Sequence, residues 1–228
     1  MAHSESVADI IIPTRGRGKL IDITISSIRA NEFDAFALWI VDQSDDAATE
    51  RAVMPHVEAD SRVHYLRAAP RGSSAARNVG IAAGQAPFVI FTDDDCRAAP
   101  DWLAVLVGEL SDPQVWAVFG RVIPDETYRP ALPQNDAGVS ASLPVALKDA
   151  PERRVYEHHR FDLGFGHGAN MGFRRERLEG VGEFDVFLGA GGRFRSFPER
   201  DLGYRMLRAG GRIVYTPAAL IYHRHWRG

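Results

Sequence analysis

The stretch Phe88 to Cys96, Phe-Val-Ile-Phe-Thr-Asp-Asp-Asp-Cys, constrains this chain more than any other. Its first four residues are bulky, apolar and uncharged, the pattern of a strand buried on both faces of a parallel sheet. Asp93, Asp94 and Asp95 follow at once. Like charges this close repel and raise one another's pKa, so a folded chain must compensate them. The simplest compensator is a hard divalent cation, Mg2+ or Mn2+, which prefers oxygen ligands and is usually held by one or two carboxylates plus substrate phosphates. In open α/β sheets ligands sit beyond the carboxyl ends of the strands, which is where these acids fall. A solvated acidic turn is the plainer alternative, and the neighbouring segments decide between the two.

With 228 residues, 45% of them hydrophobic, the chain is long enough to bury a sizeable core as a single domain spanning 1–228. Its formal charge of -3 and the lack of a long basic cluster argue against a nucleic-acid partner. One cysteine, Cys96, cannot form an internal disulfide, which fits a reducing, cytoplasmic setting. The first residues show no signal-peptide pattern, and no apolar run reaches the length of a membrane span.

Strand and helix patterns alternate along the first half. Val7 to Ile12 reads as a strand ended by Pro13, followed by a helix over 19–30. Phe36 to Val41 is a second strand, after which Ser44 or an aspartate can cap a helix running to about Ala59. Val63 to Leu66 is a short third strand. Ser73 is a plausible N-cap for an alanine-rich helix ending at Gly84, just before the central strand. This order predicts a parallel, doubly wound sheet with right-handed crossovers. Beyond the acids, a helix from Pro100 to about Leu110 and a strand from Val115 to Val122 are expected. Tyr128 to Ala150 reads as a long surface loop, Gly166 to Phe173 as a strand, and Leu188 to Phe197 as a glycine- and arginine-rich loop able to act as a lid. A helix over 199–209 and two strands, Arg212 to Tyr215 and Ala219 to His223, complete a mixed second half. Trp102 and Trp116 read as core. Trp226, with Arg224, His225 and Arg227, could begin an interfacial segment making peripheral membrane contact at the inner face.

Several blocks carry a resemblance in a fixed order: Ile-Ile-Ile-Pro-Thr-Arg at 10–15, Val-Asp-Gln-Ser-Asp-Asp at 41–46, Ala-Arg-Asn-Val-Gly-Ile at 76–81 and Phe-Thr-Asp-Asp-Asp-Cys at 91–96. Gly-Ala-Asn-Met-Gly-Phe-Arg-Arg at 168–175, Gly-Glu-Phe-Asp at 182–185 and Glu-Arg-Asp-Leu-Gly-Tyr-Arg at 199–205 follow, then Pro217 and His223. Together they resemble the family 2 glycosyltransferases of the GT-A fold, over about 7–223. The resemblance implies a Rossmann-like α/β domain, a mixed but mostly parallel sheet with helices on both faces. The nucleotide-binding half would span about 7–122, and the acceptor and catalytic half about 123–228.

The resemblance also implies roles. Pro13, Thr14, Arg15 and Asp42 would hold the nucleotide base, with Asp42 accepting the imide hydrogen; capping of the next helix is its alternative role. Arg77 would reach the base or a phosphate as a charge-assisted donor, unless it is a surface arginine. Asp93 would face the ribose and the metal, Asp95 would ligate the metal, and Asp94 between them has no settled role. His223 would complete the metal site by imidazole coordination, if it is not simply structural. The metal, Mn2+ or Mg2+, would neutralise charge on a departing nucleoside diphosphate.

Glu199 takes the family's base position and Pro198 stands where relatives have an acid. Glu199 could deprotonate an acceptor hydroxyl, or merely offset the helix dipole. The glycines at 164, 166 and 168 and Asn170 would let backbone approach a sugar or diphosphate, although loop tightness explains the glycines as well. Cys96 reads as a small apolar filler. The implied reaction is inverting transfer from a nucleotide-sugar donor to a glycan, lipid-linked or small-molecule hydroxyl. Two rivals are a non-catalytic nucleotide-sugar binding module and a metal-dependent sugar nucleotidyltransferase or phosphohydrolase. Against the latter, no glycine-rich phosphate cradle follows the first strand.

Overall fold

A computed structural model describes residues 6–69, 71–127, 147–158, 162–195 and 197–224. Strands β1 (Ala8–Thr14), β2 (Phe36–Asp42), β3 (Val63–Arg67) and β4 (Phe88–Thr92) run parallel in the spatial order β3-β2-β1-β4. Helices α1 (Gly18–Arg29), α2 (Ala48–Ala59) and α3 (Ser73–Ala83) connect them. Successive strand residues face opposite sides: Ile10 and Ile12 pack with Ile21, Ile25 and Ile28 of α1, while Ile11 packs with Ala76 and Ile81 of α3. Both faces of β4 are therefore covered, and all five of its residues are buried, as its apolar run predicts.

The second half continues the same sheet: β5 (Cys96–Ala98), α4 (Trp102–Ser111), β6 (Val115–Pro124), β7 (Arg154–Tyr156), β8 (Asn170–Arg174), α5 (Arg175–Val181), α6 (Pro198–Arg208) and β9 (Arg212–His223). Beyond β4 the order is β8-β6-β9-β5, with β7 also on β9. The strand β8 is antiparallel to both β4 and β6, and β9 is parallel to β6. That arithmetic of directions returns the C-terminal end of β9 to the edge where β4 ends. It also brings the residues just before β8 to that edge.

Local details depart from the sequence reading. β1 continues through Pro13 and Thr14, which pair with Val41 and Asp42; its pairing with β4 stops at Ile11, and a proline is tolerated where a strand is paired on one side. Gly72, at φ 93°, and not Ser73, is the N-cap of α3. The Ser73 amide and Ser74 hydroxyl instead donate to the Ala190 and Leu188 carbonyls, at 2.8 and 2.7 Å. The two expected C-terminal strands are one, with residues 217–219 looped out opposite the Gly120/Arg121 step, a bulge that accommodates Pro217. β8 begins later than Gly166, because the Asn170 amide closes a turn on the His167 carbonyl at 3.1 Å. β5, β7 and α5 had no reading in the sequence. Trp102 is fully buried, whereas Trp116 is half-buried beneath Arg177, 4.7 Å from its ring. Residues 128–146, most of the expected long loop, and 225–228, including Trp226, lie outside the described residues.

Candidate active site

The ends of β1, β4 and β9, the turn before β8, and the first turns of α3 and α6 enclose a cleft of about 580 Å3. Pro13, Thr14, Arg15, Arg77, Asp93, Asp94, Asp95, His223 and Glu199 all line it. Each of these was expected in the site, and the fold brings them together from segments up to 210 residues apart in sequence (Pro13 to His223, 223 - 13).

The three aspartates separate by environment. Asp93 is the exposed one, pairing with Arg77 Nη2 at 3.3 Å. Asp94 turns inward and accepts a 2.6 Å hydrogen bond from Thr14 Oγ1. Burial, then the neighbouring Asp95 charge, push its pKa up to about 7, with the Thr14 hydroxyl opposing. Asp95 is buried, with Arg17 Nη1 3.0 Å from Oδ2 and His223 Nε2 3.5 Å from Oδ1.

A metal would fit at Asp95 and His223. Their ligand atoms and the Cys96 sulfur lie within 4.8 Å of one another, the strand pairing Cys96↔His223 having delivered the imidazole. His223 Nδ1 is buried without a hydrogen-bond partner among the described residues. Carboxylate oxygen plus imidazole suits Mn2+. Full burial, then the charges of Asp95 and Asp93, push the Cys96 thiol well above its ordinary range, and as a soft donor it suits Mn2+ or Mg2+ less well than an oxygen ligand does. Asp93, expected as a ligand, is not in this group; its carboxylate faces Arg77 instead.

Asp42 departs from its expected place. It is completely buried and accepts hydrogen bonds from Ser44 N at 2.8 Å, Ser44 Oγ, and Tyr65 OH at 2.8 Å, with Arg67 Nη1 at 3.3 Å. With both oxygens engaged, Asp42 is not among the residues that line the cleft. Nor does it cap α2, whose Ala48 amide is held by Asp46 Oδ1 at 2.9 Å. Gln43, just past the end of β2, lines the cleft, its Nε2 donating to the Ala69 carbonyl at 2.8 Å.

Glu199 occupies the first turn of α6 and is 7% exposed. Pro198 takes the first helical position, where a fixed φ and a missing N–H are harmless. The Glu199 carboxylate accepts no hydrogen bond from the described residues, and it approaches Arg77 across Gly168. A Cβ on Gly168 would lie 3.1 Å from Arg77 Nη2 and 3.8 Å from Glu199 Oε2, so glycine here leaves the passage open. Arg77 is 5% exposed, and its Nε is unpartnered among the described residues. Asn170 does not face the cleft: it is fully buried, accepting from Trp102 Nε1 and donating to the Arg121 and Ala219 carbonyls, and so ties β8 to β6 and β9.

Arg17, Gln43, Ser73 and His167 line the cleft without having been singled out as site residues in the sequence. Arg17 sat in a readable position, the basic turn after β1; the others carry no signal separable from ordinary loop residues. Burial lowers the His167 pKa, and its Nε2 lies 3.0 Å from the Leu147 carbonyl. The expected lid, 188–197, is tied to α3 at Leu188 and Ala190 rather than hanging free, through the Ser73 and Ser74 hydrogen bonds already described.

Comparison with known proteins agrees with this geometry. The family model "Glycosyl transferase family 2" matches residues 9–182. A "Pre-mycofactocin glycosyltransferase" of Mycobacterium tuberculosis is 27% identical over 217 residues, covering 95% of this chain and 42% of the relative. A "Glucosyl-dolichyl phosphate glucuronosyltransferase" of Haloferax volcanii is 25% identical, covering 88% and 63%. The chain thus spans less than two thirds of the length of either. Among solved structures, the mannosyltransferase PcManGT from Pyrobaculum calidifontis, in complex with GDP-Man and Mn2+, superposes with a TM-score of 0.69 at 20% identity, covering 97% of this chain and 57% of that one. S. aureus TarS 1-349 with UDP-GlcNAc gives 0.71 at 15% identity, covering 97% and 59%. The fold is that of the GT-A glycosyltransferases. By its family match and the order of its sheet, this chain belongs to glycosyl transferase family 2.

Proposed function

We propose that the cleft transfers a sugar from a nucleoside-diphosphate sugar to a hydroxyl acceptor with inversion, assisted by Mn2+ or Mg2+, in glycan or cell-surface polysaccharide synthesis. The observation that carries this reading is the meeting of Glu199, Arg77 and the acids 93–95 around one cleft at the carboxyl ends of the strands. Asp95 and His223 would hold the metal, which when bound offsets negative charge on the leaving diphosphate. Arg77, with Nη2 on Asp93 and Nε unpartnered among the described residues, would donate to a phosphate.

Glu199 takes the acceptor proton as the hydroxyl oxygen attacks the anomeric carbon; the bond to the diphosphate oxygen breaks on the opposite face and the nucleoside diphosphate leaves. No enzyme nucleophile enters this scheme. The sugar donors and Mn2+ found with the two structural neighbours, and the lipid phosphate in the Haloferax relative's name, support the substrate classes without naming this chain's own. The halves 7–122 and 123–228, binding donor and acceptor in turn, belong to the same proposal.

The test is Glu199→Gln. It should abolish transfer while a nucleoside diphosphate with Mn2+ still binds; full turnover would remove Glu199 from the mechanism. Release of pyrophosphate in place of nucleoside diphosphate would replace the transferase reading with a nucleotidyltransferase.

A further inference from the structure

Among the described residues, the exposed large apolar side chains are not evenly scattered. All the exposed phenylalanines, Phe187 (58%), Phe194 (57%) and Phe197 (53%), lie in one segment with Val186 (45%). A phenyl ring left half in water costs hydration free energy, and a cluster of them rimmed by polar groups marks a contact surface.

The segment is built to hold them out. Phe194 N donates to the Phe187 carbonyl at 2.7 Å and Gly189 N to the Phe194 carbonyl at 2.8 Å, pinching the turn at its base. The turn leans on α3 through Ser73 and Ser74, and Gly191 packs so closely on Gly72 that a Cβ there would sit 3.0 Å from the Gly72 Cα. This backing spares the rings from having to pack against the body.

Charge indicates what the rings meet. Between Val186 and Phe197 the sequence carries Arg193 and Arg195 and no carboxylate; Asp185, just before, is turned onto the Phe187 amide, its Oδ1 accepting at 2.9 Å. The Arg193 guanidinium lies 5.5 Å from the Phe194 ring. Phenyl groups beside unopposed guanidinium groups match an anionic lipid interface, where rings enter the acyl boundary and cations meet phosphate headgroups. Arg195 and Phe197 also line the rim of the cleft. We propose that the turn bearing Val186, Phe187, Phe194 and Phe197 docks this domain on an anionic phospholipid surface, with the cleft mouth against the headgroups. Contact through this turn would be reversible, because a few rings and two charges give marginal binding by themselves. It is independent of the sugar transferred and differs from the tail around Trp226.

The experiment is vesicle flotation of the whole chain with phosphatidylcholine alone and with phosphatidylcholine and phosphatidylglycerol in roughly equal parts. The chain should float with the anionic vesicles and not with the neutral ones. Phe187→Ser with Phe194→Ser should lower the partition coefficient at least about tenfold, since both rings leave the interface. Arg193→Gln should reduce binding to the anionic vesicles by a few-fold. Both rings are exposed, so the double variant should keep the parent melting temperature within about 2 °C, and this is measured alongside. Three results would overturn the proposal: no flotation of the parent chain, equal flotation of the parent and the double phenylalanine variant, or a concentration-dependent dimer that the double variant abolishes. The last would make the patch a surface for a second copy.

Discussion

At the scale of single residues, the cleft works by giving identical side chains different surroundings. Asp93 keeps contact with solvent and an arginine, Asp94 is buried on a threonine hydroxyl, and Asp95 faces the imidazole of His223. Glu199 differs again, with no donor among the described residues and an open approach past Gly168. Substituting glutamine keeps the shape and removes the proton acceptor, so Glu199→Gln should lower the transfer rate by at least about a hundredfold, read as product formed per enzyme under saturating donor. Its affinity for a nucleoside diphosphate should change little, measured by calorimetry with Mn2+ present.

At the scale of elements, two polar ties join segments that burial alone would leave unregistered. Asp9, near the start of β1, is 2% exposed and meets Arg175 at 2.7 Å, with Trp39 Nε1 and the Ala86 amide completing its shell at 2.9 and 2.7 Å. Arg175 also donates to the Ile81 and Ala86 carbonyls, fastening the start of α5 to the end of α3. Arg175→Ala should leave a buried carboxylate without its cation and cost about 3–5 kcal/mol, a fall in melting temperature of roughly 10 °C.

The second tie is Asp60, just past α2, whose carboxylate pairs with Arg62 at 2.8 Å and Arg29 at 3.1 Å. Side-chain hydrogen bonds from Arg62 hold its pKa well below the ordinary carboxylate value, against desolvation. A depressed pKa means the stabilisation is present above the unfolded value, near 3.9, and is lost as pH falls below about 4. Asp60→Asn should therefore lower the melting temperature by about 2–4 °C at neutral pH, and the gap to the parent should close in acid. A thermal denaturation series across pH reads both.

For the whole molecule, the site exists only because distant chain ends meet at one sheet edge, and ligand binding should therefore stabilise the entire fold. A nucleoside diphosphate with Mn2+, at about a hundred times its dissociation constant, should add roughly 2.7 kcal/mol by mass action. Uridine, guanosine and deoxythymidine diphosphates are the ones to screen by thermal shift. His223→Ala should abolish the manganese-dependent part of that shift, read against the variant's own metal-free melting curve, which should lie below the parent's because a buried ring 3.5 Å from Asp95 is lost. An unchanged manganese response would move the metal away from Asp95 and His223.

Much of this protein is determined by local sequence. The apolar run at 88–91 makes a doubly buried strand, and the alternation of short strands with helices of matching length makes the parallel half. The order of the quoted blocks carries the family, and the position of the acids just past β4 sets them at the edge where ligands bind. What only tertiary structure decided is direction and facing. β8 inserts antiparallel between β4 and β6, which is what returns His223 to Asp95, and three-residue strands such as β5 and β7 have too little pattern to exist without β9 beside them. Asp42 and Gln43 show the same division: the carboxylate looked like the ligand contact. The partners waiting beside each, Tyr65 and Arg67 for Asp42 and the cleft for Gln43, come from the fold.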